Sequence, residues 1–105
     1  MSLVEVKAPE LLPPPCEATV GRTAHYRICR DLVDGRVTVR RNTVAYVDAS
    51  HVRLPLPEVR LDTCGLRVVM PETMLRPGEW DAYRNMVVAL DGELRALERE
   101  AGNVR

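Results

Sequence analysis

The stretch HYRICRDLVDGRVTVR, His25 to Arg40, carries the pattern on which the fold turns. Tyr26 and Ile28 alternate with His25, Arg27 and Cys29; beyond Asp34-Gly35, Val37 and Val39 alternate with Arg36, Thr38 and Arg40. Successive side chains of a strand point to opposite faces, so this period of two predicts a pair of half-buried antiparallel strands. Asp34-Gly35 supplies the two positive-φ positions that a two-residue hairpin turn requires.

Working outward, the pattern repeats downstream. Arg41-Asn42 predicts the next turn and Thr43 to Asp48 the next strand, with Val44 and Tyr46 on one face and Ala45 and Val47 on the other. Val52, Leu54 and Leu56 alternate with His51, Arg53 and Pro55. Pro55 and Pro57 cannot donate to a ladder, so this strand is expected at a sheet edge. Val59 and Leu61, a Thr63-Cys64-Gly65 turn, and Leu66 to Met70 complete the series. Consecutive short strands joined by tight turns predict a small antiparallel β meander, curled into a barrel or packed as a compact sandwich.

The two ends read differently. Pro9 and Pro13-Pro14-Pro15 remove backbone donors and push the residues before them toward extended geometry. Residues 1–17 are therefore expected to form an extended Pro-rich arm, a spacer or a docking segment, ahead of a domain spanning 18–105. At the other end Pro77-Gly78 marks a helix entry, and Glu79 and Asp81 place negative charge where the helix dipole favours it. One amphipathic helix is expected from Glu79 to Ala101, stopped by Gly102-Asn103, which makes the fold class α+β. Trp80, Tyr83, Val87, Leu90, Leu94, Leu97 and Ala101 recur at intervals of three and four, a heptad seam. Trp80 and Tyr83, next to the sheet in sequence, are expected in the core. Leu90, Leu94, Leu97 and Ala101 lie farther along: either they cover the domain's own sheet with the rest of the seam, or they face another protein or a second copy, which makes them the candidate partner surface.

Composition sets the remaining bounds. The chain has 105 residues, 46% hydrophobic and 29% charged, an ordinary mixture for one folded domain. Trp80, Tyr26, Tyr46 and Tyr83 are the only aromatic residues, so the core must be built from Val, Leu, Ile and Met. The longest apolar run, Met86 to Leu90, is far short of the roughly 20 residues of a membrane span, so no membrane contact is expected. The first residues lack the basic start and apolar stretch of a secretory signal, and the expected compartment is the cytoplasm. Cys16, Cys29 and Cys64 are odd in number and irregularly spaced, and are expected to be free thiols buried as small hydrophobes.

Sites for chemistry are sparse. Structural zinc is bound by close ligand pairs, and His25-x3-Cys29 is the only such pair, so neither metal nor cofactor is expected. No nucleophile elbow, phosphate loop or dinucleotide fingerprint occurs, and no catalytic role is expected. Asp31, Asp34, Asp48 and Asp62 read as turn residues. Net charge is zero, yet residues 22–67 hold nine arginines against five carboxylates, a balance of +4. Alternation would project Arg27, Arg36, Arg40, Arg53 and Arg60, with His25 and His51, from the polar sheet faces. An arginine face of this kind is the alternative function, nucleic-acid binding. The sheet tyrosines fall in phase with the apolar residues, which leaves no base-stacking platform. The expected function is a non-catalytic interaction or assembly module, a small component of a larger complex, acting through the helical seam and the arm.

Overall fold

The computed structural model describes residues 4–5, 16–42, 46–49, 52–71 and 75–104, with only the backbone of 4–5, 46–49 and 52–53. The fold is α+β and antiparallel throughout its sheets. Three small sheets carry the described strands: β1 (Val4–Glu5), β5 (Tyr46–Ala49) and β6 (Val52–Pro55) in the order β1-β5-β6; β2 (Glu17–Arg22), β3 (Tyr26–Asp31) and β4 (Val37–Arg41) in sequential order; and the hairpin β7 (Val59–Asp62) with β8 (Gly65–Val68). No closed barrel forms among them. β6 is an edge strand in the described sheet, as Pro55 requires. Val4–Glu5 pairs with β5 and Glu17 opens β2, so both ends of the expected arm belong to sheets. Residues 6–15, with the proline cluster, lie outside the described residues.

The β3–β4 pairing sets Ile28 across from Val39 and Cys29 across from Thr38, in the phase the alternation predicts. Its turn differs from the expected one. Leu32 to Gly35 form a four-residue loop closed by bonds from Gly35 N to the Asp31 carbonyl (2.9 Å) and from Asp31 N to the Arg36 carbonyl (2.8 Å). Asp31 Oδ1 accepts the amides of Val33 and Asp34 at 2.7 and 3.0 Å. These bonds hold the Asp31 carboxyl below the usual carboxylate range. Asp31 competes for the backbone as Asx turns do, and Gly35, at φ 76°, takes the left-handed region.

The single C-terminal helix is two. α1 (Pro77–Ala89) starts with Pro77 in its first turn, and α2 (Asp91–Val104) runs past Gly102 and Asn103. Leu90 joins them: its amide bonds back to Met86 and Val87, and its carbonyl accepts the Leu94 amide. Asp91-Gly92-Glu93 restarts the helix, with two carboxylates in its first turn. The break lets each helix cover a different cluster. α1 buries Ala82, Tyr83 and Met86 against Leu54 and Leu56. α2 buries Leu97 and Ala101 against Tyr26, Ile28, Val39 and Val59. Leu94 and Val68 touch both clusters and join them into one interior.

Polar ties fix this arrangement. The buried Tyr26 hydroxyl donates to the Pro57 carbonyl at 2.7 Å, and burial raises its pKa. The Tyr83 hydroxyl donates to the Val69 carbonyl at 3.2 Å, and burial raises its pKa too. Asn42 Nδ2 donates to the Thr23 and Ala24 carbonyls, clamping the β2–β3 turn. Glu98 of α2 accepts the Leu66 amide at 2.9 Å, above Gly65, whose φ of 121° opens β8.

Candidate functional site

The arginines expected to share one polar face are placed in different surroundings. Arg27 is 2% exposed. β3 is the middle strand of its sheet and carries four consecutive buried residues, Tyr26 to Cys29, so both of its faces are covered where one was expected to be solvated. Arg40 donates through Nε to Glu17 Oε2 at 2.7 Å and through Nη2 to the other carboxylate oxygen. That fork, with a smaller contribution from Arg27, holds the Glu17 carboxyl below its ordinary range. Arg60 lies 3.4 Å from Glu58. Arg36, Arg40 and Arg60 line an open groove of about 760 Å³ between β4 and β7, together with Glu58 and Asp62. His25 stands in the β2–β3 turn and bonds through Nδ1 to both oxygens of Glu93, at 2.8 and 3.0 Å. The Arg53 side chain and His51 lie outside the described residues.

The thiols are all free, but only Cys29 is buried; Cys16 and Cys64 are exposed, contrary to the expected burial of all three. Both sit at turns, where a short side chain meets solvent. Among the described residues no three His, Cys, Asp or Glu side chains gather to hold a metal ion. No described helix is long and apolar enough to cross a membrane.

Of the two readings of the seam, the internal one holds and the partner surface does not. Leu97 is 0% exposed, Ala101 and Leu90 are buried, and Leu94 is half-buried between the two clusters. All four pack inward because α2 turns at Leu90 and lays its apolar stripe on β3 and the β7–β8 hairpin. Every exposed position of α2 is polar or glycine, from Asp91 and Arg95 to Glu98, Arg99 and Asn103.

α1 differs. Its exposed positions include Pro77, Val88 and Ala89 beside Asp81 and Arg84, and Val88 is 68% exposed. Trp80 and Val87 sit half-buried on its shoulder, with the Trp80 ring edge-on to Tyr83 at 6.1 Å between centroids. The outer face of α1 is therefore a patch of apolar and paired charged side chains on a rigid helix. Elsewhere among the described residues, Val20 stands alone on β2 at 37% exposure, and two further surfaces expose apolar groups. Leu32 and Val33 form the tip of the β3–β4 hairpin, Val33 being 89% exposed. Met70 stands at the rim of an open cleft of about 420 Å³ floored by Leu54, Leu56 and Leu75. A two-residue tip offers little area, whereas the α1 face runs the length of the helix.

No known family, curated protein or solved structure matches this chain.

The α1 face had a signal in the sequence. Met86 to Leu90 are five consecutive apolar residues, and a helix cannot turn five successive positions to one side. Val88 is the one that falls opposite the core.

Proposed function

We propose that this protein is a non-catalytic assembly module whose contact surface is the outer face of α1. The observation that carries the reading is the contrast between the two helices. α2 is apolar inward and polar outward, as a surface helix should be, while α1 is apolar inward and still exposes Val88, with Trp80 and Val87 beside it. Trp at the margin of an exposed apolar patch is the residue type most enriched where binding energy concentrates. The cytoplasm is the compartment that suits three unpaired thiols.

A photo-crosslinking amino acid at position 88, compared with one at Arg99 on the outer face of α2, tests this in the cells that make the protein. The expected result is a protein adduct from position 88, lost when Asp81 and Arg84 are both replaced by Ala, and none from position 99. Equal adducts from both positions, or none from 88, would overturn the reading.

A further inference from the structure

Resting on that reading, we infer that the occupant of the α1 face is a second copy of this chain, packed helix to helix in the antiparallel sense. Pro77, Asp81, Arg84 and Val88 are all exposed and are spaced by four, three and four residues, which places them along one face of the helix. The order is apolar, acidic, basic, apolar. About a two-fold axis between Ala82 and Tyr83, this order is its own complement: Pro77 meets the partner's Val88, and Asp81 meets the partner's Arg84, each twice. Isologous two-fold contacts require such self-complementarity.

Other arrangements lack it. A parallel pair sets Asp81 against Asp81 and Arg84 against Arg84, which repel. Within one chain Asp81 and Arg84 stand 3.6 Å apart, with side chains 73% and 74% exposed. A solvated pair of this kind contributes little to stability, so exchanging the one in each chain for the two across an interface costs little. Trp80 and Val87, on one shoulder of the same face, close over the side of the contact and exclude water from the ion pairs. Every exposed position of α2 is polar or glycine, which leaves α1 as the helix able to supply an apolar contact.

One helix face buries a small area, so the dimer is weak, with a dissociation constant roughly between 10 and 100 μM. Sedimentation equilibrium on the full chain from about 5 μM to about 1 mM, within the range that a weak interface requires, reads it directly. Asp81→Arg and Arg84→Asp, each alone, should weaken association at least roughly tenfold, because each sets two like-charge pairs in the interface. Mixing the two variants in equal amounts should restore a heterodimer, because every pair is then opposite in sign. Thermal midpoints of both variants should match that of the unmodified protein, since neither side chain is in the core. An unmodified protein that stays monomeric throughout overturns self-association, while an adduct from position 88 to a different protein would leave the contact surface itself standing. Association that ignores the single charge reversals, or that mixing does not restore, overturns the antiparallel geometry.

Discussion

Leu97→Ala tests the placement of the helical seam. Leu97 is fully enclosed by Tyr26, Ile28, Val39, Val59 and Ala101. The substitution removes three carbons from this site, worth about 0.8 kcal/mol each in transfer. The cavity term for a rigid surrounding brings the expected loss to about 3–4 kcal/mol. Against a total stability of about 5–15 kcal/mol this is a large fraction, and for a domain of this size it lowers the thermal midpoint by roughly 12–25 °C. Urea titration followed by Trp80 fluorescence and by far-ultraviolet circular dichroism measures it, with coincident curves showing that one transition is being followed. Leu94, half-buried between the two clusters, should lose less on the same substitution. A loss below about 1 kcal/mol for Leu97→Ala, within the range of surface substitutions, would refute the enclosed position and return Leu97 to the surface.

Three further outcomes follow from the geometry. Cys16 and Cys64 should react with a thiol reagent in the native protein, and Cys29 only on unfolding; three fast thiols, or one, would contradict the burial described. Glu17 titrates below its unfolded value because of Arg40, so the pair contributes stability above about pH 4.3 and loses it as pH falls through the folded value; Glu17→Gln should cost up to about 1 kcal/mol at neutral pH, and a difference that persists in acid would refute the cause. Gly65→Ala should be more damaging than Gly35→Ala. Both have positive φ, costing roughly 1–2 kcal/mol. At Gly65, though, a Cβ would also stand 3.0 Å from the Glu98 carboxylate that holds the Leu66 amide, while at Gly35 it meets open space; equal losses in thermal melts would contradict this.

The fold was legible where local pattern and tertiary burial agree. Tyr26 and Ile28 against Val37 and Val39, the proline-bearing edge strand and the Pro77 helix start all follow from period, missing donors and capping. Reading failed where a decision depends on what lies across space. Arg27 alternates like a solvent-facing residue but lies in the middle strand of a sheet covered on both faces. Asp34-Gly35 has the signature of a two-residue turn, yet the Asp31 side chain captures two amides and widens the loop to four residues. The unbroken three-four spacing from Trp80 to Ala101 hid the corner at Leu90, because a change of helix direction of one residue preserves the spacing on either side. Asp91-Gly92-Glu93 was its only local mark. The same continuity made Leu94 and Leu97 resemble a free extension of the helix, and it drew attention from Val88, which is out of phase with the seam.

Hydroxyl-radical footprinting of the protein at high and low concentration, with residues resolved by mass spectrometry, tests the central claim most directly, because it compares the α1 face with the hairpin tip and the Met70 rim in one experiment. Assembly through the outer face of α1 predicts that Trp80, Val87 and Val88 lose reactivity as concentration rises, while Leu32, Val33 and Met70 keep theirs. Protection at the hairpin tip or at Met70, with Trp80 and Val88 unchanged, would contradict it.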